Sequence, residues 1–217
     1  MDGNEFYINS EMLKKAKLNI ASQLVKSVVN GPGTRYVIWL QGCPFKCPGC
    51  FNKKFQPFFN KNLVNIETLA KKILSVEGIE GVTYTGGEPM VQAEPLYYLS
   101  SILKKYKRTI VCYTGFTMEE LEKHKDPFTR KLISLVDILI DGRFQEDKKA
   151  HLVWRGSTNQ KVHFLSDVYS DFQPSVHEEH SQMELVIGEK GITYTGTVKE
   201  EIINRLNQLI NRREIEK

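Results

Sequence analysis

The stretch RYVIWLQGCPFKCPGC, residues 35–50, joins an apolar strand pattern to a cluster of cysteines. Its first part, Arg35–Leu40, is β-branched and aromatic and reads as a buried strand. Gln41 and Gly42 lead directly into Cys43, Cys47 and Cys50, so three of the chain's four cysteines fall within eight residues. A loop with this spacing can wrap three thiolates round one corner of a cubane cluster. Three ligands would leave one iron open to a substrate or cofactor. A structural zinc site wants a fourth ligand, and no Cys or His stands near in sequence; a distant histidine is the remaining way to complete one. A redox dithiol of Cys47 and Cys50 would leave Cys43 without a role. Cys112 lies in the apolar run TIVCY and reads as a small buried hydrophobe.

Downstream, strand and helix patterns alternate. Residues 66–76 have helical spacing, residues 81–85 (GVTYT) form a short strand pattern, and residues 93–106 return to helical spacing. Thr109–Tyr113 is a further strand, followed by a helix from Thr117, where Thr117 and Glu120 make a capping box. Residues 132–135 close another helical piece before the strand Ile138–Asp141. This alternation predicts an α/β fold with a parallel sheet, open or closed into a barrel.

Upstream, residues 1–24 read as a polar lead-in with a short helix over residues 11–18. Residues 25–29 are a short β-prone run ended by the turn-forming Asn30-Gly31-Pro32-Gly33. The alternating core spans residues 25–165. Residues 166–217 differ: a polar linker containing Pro174, then a β-hairpin of residues 183–187 and 192–195 about Gly188-Glu189-Lys190-Gly191. Residues 198–213 carry an apolar stripe at positions 198, 202, 206, 209 and 210, with Glu200 and Glu201 at the start and Arg212 and Arg213 at the end. The tail is thus expected to be a small C-terminal ββα extension. It would cover the core's own sheet or dock a partner. His177-Glu178-Glu179-His180 lacks the order of zinc hydrolases and reads as a solvated charged loop.

The chemistry of α/β sheets and barrels gathers beyond the carboxyl ends of the strands. The cysteine loop follows one such end, and Gly86-Gly87-Glu88-Pro89 follows another. The glycines would let a ligand approach the backbone closely, and Glu88 can accept hydrogen bonds from an ammonium group.

At 217 residues, 41% hydrophobic and 26% charged, the chain is ordinary for a globular protein, and its net charge of +4 is too small and dispersed to argue for nucleic acid. No apolar run reaches the ~18 residues of a membrane span, and the N-terminus lacks the apolar core of a signal peptide. A cytoplasmic location is expected, where clustered thiols are metal ligands more often than disulfides.

CxxxCxxC followed by GGEP resembles the radical S-adenosylmethionine (SAM) superfamily. That resemblance implies a full or partial, open parallel (β/α) barrel. It also implies a [4Fe–4S] cluster whose open iron binds SAM, and reductive cleavage of SAM to methionine and a 5′-deoxyadenosyl radical. Closer likenesses exist in residues 30–35 (NGPGTR), 49–52 (GCFN) and 113–115 (YTG), and in residues 137–144 (DILIDGRF) and 154–160 (WRGSTNQ). These resemble activases of glycyl radical enzymes, specifically the activating proteins of anaerobic ribonucleotide reductase.

The resemblance assigns the cluster to Cys43, Cys47 and Cys50. It assigns the SAM site to Gly49, Cys50, Phe51 and Gly87, with Gly86 and Glu88 beside them. Arg155, Ser157 and Asn159 become candidates for the same cavity or a partner surface, with a helix-capping loop as the alternative. The implied partners are a large glycyl radical enzyme of the anaerobic ribonucleotide reductase type and an electron donor such as flavodoxin. Two other readings stay open: a stand-alone radical SAM enzyme acting on a peptide or small molecule, and a non-catalytic metal-binding module.

Overall fold

A computed structural model describes residues 10–172, 176, 181–188, 191–197 and 199–215. Helix α1 (Ser10–Lys15) leads into strand β1 (Lys17–Ser27), which is followed by β2 (Arg35–Leu40) and β3 (Leu63–Asn65). Then come α2 (Ile66–Leu74), β4 (Gly81–Gly86), α3 (Ala93–Lys105), β5 (Thr109–Tyr113), α4 (Met118–Glu122), α5 (Pro127–Ile133) and β6 (Ile138–Asp141). Three short strands follow, β7 (Lys149–Leu152), β8 (Arg155–Ser157) and β9 (Lys161–Phe164), and the tail supplies β10 (Gln182–Gly188), β11 (Gly191–Thr197) and α6 (Glu200–Ile215).

Among the described residues, seven strands form one sheet in the order β3-β1-β2-β4-β5-β6-β9. Its centre is parallel: β2 beside β4 from Arg35↔Gly81 to Leu40↔Gly86, then β4 beside β5 and β5 beside β6. The flanks are antiparallel, β1 on β2 and on β3, and β9 on β6. The sheet is therefore mixed and parallel-rich.

The central strands are nearly all apolar because both of their faces are covered. Tyr36, Ile38, Leu40, Tyr84 and Cys112 join Leu69 and Ile73 of α2 and Leu96, Leu99 and Leu103 of α3 in the larger core. On alternate positions Val111, Ile138 and Ile140 pack with Tyr169, Trp154 and Phe164 in a second, smaller cluster. Arg35 is fully buried on this side. It donates to Thr83 Oγ1 (2.8 Å), to the carbonyls of Pro32, Val82 and Thr109, and to the Tyr169 hydroxyl (3.2 Å). Burial pulls its pKa down, and these acceptors keep the cation satisfied. The NGPGTR motif thus ends in an arginine that ties the turn Asp167–Phe172 to the sheet.

Several expectations need correction. The helix expected over residues 11–18 ends at Lys15, and Leu18 lies in β1 with no exposure. The strand expected at residues 25–29 begins instead at Lys17. Register shifts after Ile20 and Leu24 break the inside–outside alternation that would have revealed it. Strands β3, β7, β8 and β9 were not expected; KAHL, RGS and KVHF are too short and polar to stand out. The Thr117–Glu120 capping box is present, with both reciprocal bonds made.

The tail hairpin pairs in the register Leu185↔Tyr194 and Gly188↔Gly191, as its glycine-flanked turn implied. In α6 the apolar stripe leaves Ile202 and Leu209 exposed, while Val198 lies outside the described residues. Residues 177–180, the His-Glu-Glu-His stretch, lie outside them too.

Candidate active site

β2 ends at Leu40, and the chain turns at Gly42, whose φ of +97° suits a glycine. The cysteine loop is closed on itself: Gly42 N donates to Phe55 O at 2.8 Å and Cys43 N to Gln56 O at 2.9 Å. The Gln41 side chain donates to Pro57 O at 2.6 Å. Inside the loop Cys50 N donates to Cys47 O at 3.3 Å, and Gly49 takes a φ of +69°. A Cβ at Gly49 would meet the Phe144 ring at 2.9 Å.

The exit of β4 is laced to this loop. Gly87 N donates to Leu40 O and Glu88 N to Gly42 O, both at 2.8 Å. A Cβ at Gly87 would stand 2.3 Å from Gly42 O, and one at Gly86 2.6 Å from Leu40 N. The close approach expected at these glycines is thus made by the neighbouring strand's backbone.

Glu88 is 1% exposed and accepts from Met90 N (2.9 Å), Thr114 Oγ1 (2.8 Å) and Gly115 N (2.8 Å). Burial pushes its carboxyl up to about 7, against these three donors, which lower it. Its first task here is to tie the exit of β5 to that of β4. A carboxylate has about four acceptor sites, so one remains for a ligand.

The three strand exits surround a cavity of about 500 Å³, within the usual range for a small-molecule site. Cys43, Cys47, Cys50, Phe51, Gly86, Gly87 and Glu88 all line it; Gly49 lies behind the wall. Thr114, Gly115, Trp39, Arg143 and Phe144 complete this end, and the sequence reading had not singled them out as site residues. YTG and DILIDGRF were the available signals for most of them. The Arg143 guanidinium sits 4.3 Å from the centre of the Phe45 ring, which packs edge-on against Phe116.

All four cysteines are free, and Cys112 is fully buried in the core, away from the cavity. Burial pushes the Cys43 thiol up to about 11, and burial followed by the charge of Cys50 raises that of Cys47. A bound cation would favour the thiolate forms, as it does for metal ligands. Among the described residues, no three His, Cys, Asp or Glu side chains are gathered as one metal ion requires. A cubane cluster differs, because each thiolate binds a different iron round a shared space. Three thiols of one loop on one cavity wall fit that donor set.

The family of the 4Fe-4S single cluster domain matches residues 29–163. The anaerobic ribonucleoside-triphosphate reductase-activating protein of Pasteurella multocida is 33% identical over 163 residues, 67% of this chain and 97% of that protein. That of Escherichia coli K12 is 32% identical over 158 residues, 64% of this chain and 93% of that protein. The chain belongs to this family of activating proteins. The solved structure of QueE from Escherichia coli aligns with 47% of this chain and 53% of its own, at 22% identity and a TM-score of 0.36, too slight a likeness to build on.

Three residues of the family-like WRGSTNQ stretch take places outside the cavity lining. Arg155 is 7% exposed and donates to Gln160 O at 3.1 Å and to Val176 O. Ser157 is fully buried and accepts from Gln145 N at 3.3 Å. Asn159 donates to Arg143 O at 2.8 Å, and the Gln160 amide to Gly142 O at 3.0 Å. These bonds hold the Gly142–Phe144 segment in place from behind. Trp154, Gly156 and Gln160 line the cavity instead.

Proposed function

We propose that this chain is a radical SAM activase, and that its partner is a glycyl radical enzyme of the anaerobic ribonucleotide reductase type. The observation that carries the reading is the meeting of three free thiols and the GGE loop at one cavity, in a chain of this family. Cys43, Cys47 and Cys50 would hold a [4Fe–4S] cluster. When bound, the cluster supplies an electron to SAM, whose carbon–sulfur bond breaks to give methionine and a 5′-deoxyadenosyl radical.

The chain's own residues hold and shield that chemistry. The backbone lacing of Leu40 and Gly42 to Gly87 and Glu88 fixes the cysteine loop against the proposed SAM-binding loop. Glu88 offers its remaining acceptor site to the SAM ammonium, while Phe51 and Trp39 add aromatic surface to the cavity lining. A cluster held by this three-thiol set would take its electron from an outside donor such as flavodoxin. The cytoplasm is the proposed location; among the described residues no helix is long and apolar enough to cross a membrane.

The test is a radical transfer. Reconstituted chain, reductant, SAM and a purified anaerobic ribonucleotide reductase are expected to give a glycine-centred radical signal on the reductase in electron paramagnetic resonance. SAM cleavage without that signal would favour a stand-alone enzyme. The β10–β11 hairpin, beyond the family's matched residues, also lines the cavity, so residues outside the family match shape what enters it.

A further inference from the structure

The hairpin's contribution to the cavity is lopsided. From β10 only Val186 reaches it, whereas β11 lines it continuously from Ile192 to Thr195 and beyond. Side chains of a strand alternate between two faces, so an unbroken run of lining residues means that the strand's edge faces the space. Among the described residues β11 pairs with β10 alone. The pair Gly188↔Gly191 closes the hairpin, and hydrogen-bonded and open pairs alternate from there. Ile192 and Tyr194 therefore turn their N–H and C=O groups away from β10. A hydrogen bond of 3.1 Å from Thr195 Oγ1 to Asn30 Oδ1 fastens the strand to the loop before β2.

We propose that the outer edge of β11, at Ile192 and Tyr194, receives an extended segment of the partner polypeptide as an added strand and leads it toward the cysteine end of the cavity. An open strand edge is recognised by another extended backbone, which offers one donor and one acceptor at each residue. The stretch ITYT carries no charge, and Gln23 and Asn30, which line the cavity with it, are neutral hydrogen-bonding groups. At β11 this neutral lining suits an uncharged peptide stretch; the charged lining residues Lys54, Glu88 and Arg143 stand on other segments. The inference rests on the activase reading and adds to it a docking mode outside the family's matched residues.

Proline separates the backbone from the side chain here. Tyr194→Pro removes an outward N–H while sparing the ladder to β10, whereas Tyr194→Ala keeps the backbone and drops the ring. The experiment is amide hydrogen exchange of the cluster-loaded chain, alone and with a purified anaerobic ribonucleotide reductase. Binding is expected to slow exchange at Ile192 and Tyr194 at least tenfold. Tyr194→Ala should keep most of the affinity for the reductase, and Tyr194→Pro should lose at least tenfold. Binding with unchanged exchange in β11 would overturn the docking mode alone. Protection that appears without reductase and grows with protein concentration would assign the edge to a second copy and overturn it too. A chain that cleaves SAM yet binds no reductase would overturn both this proposal and the partner assigned above.

Discussion

Gly87 shows how a motif residue can serve the fold and the site together. Its missing Cβ is required by Gly42 O, 2.3 Å from where that atom would stand. Gly87→Ala should therefore cost about 1–3 kcal/mol as an overpacked contact between two backbones. It should also loosen the cysteine loop, so denaturant midpoint and retained iron fall together. Loss of SAM affinity with both unchanged would mean that the glycine serves the ligand only. Glu88 gives a pH test. Its folded carboxyl sits near 7, above the ordinary carboxylate value, so the folded chain holds its proton more tightly than the unfolded one. Stability should fall as pH rises from about 4.5 to 7 and then level off. Relative to Glu88→Gln, the wild-type chain should lose on the order of 2 kcal/mol between pH 5 and 8 in urea titrations. A parallel course for both proteins would contradict the buried carboxyl.

Among the elements, the tail divides at Phe172. The turn Asp167–Phe172 carries Tyr169, which covers Val111, Ile138 and Ile140 and holds Arg35 and Thr109 through its hydroxyl. The hairpin and α6 come after it. Truncation after Leu165 should strip that cover and lower the melting temperature by well over 10 °C, since several kcal/mol of packing and a buried cation's partner are lost. Truncation after residue 181 should leave the melting temperature within a few degrees, because among the described residues the larger core draws nothing from the hairpin or α6. Equal losses from both cuts would place the hairpin in the fold's stabilising core. Strands β2, β5 and β6 were legible to the residue, because each is a continuous apolar run between polar turns. β1 was half hidden by its bulges, and β7 to β9 owe their existence to tertiary pairing rather than to local pattern.

In the molecule as a whole, the parallel strands place the cysteine loop, the GGE loop and the β5 exit side by side, as their order in sequence implied. Arg155, Ser157 and Asn159 were chosen by their motif; in the fold they bond to Gln160 O, Gln145 N and Arg143 O from outside the cavity lining, a placement that only the folded register reveals. The third side of the cavity was not legible at all. Nothing in ITYTGT announces that this strand shares a cavity with the cysteines. The central claim, that three thiols of this cavity hold a cluster which cleaves SAM, is tested by anaerobic reconstitution with iron and sulfide followed by dithionite and SAM. The wild-type chain and Cys112→Ala are expected to hold about four irons and to form methionine and 5′-deoxyadenosine. Cys43→Ala, Cys47→Ala and Cys50→Ala should each lose both properties. Cluster loss in Cys112→Ala alone, or an iron-loaded wild-type chain that leaves SAM intact, would contradict the account.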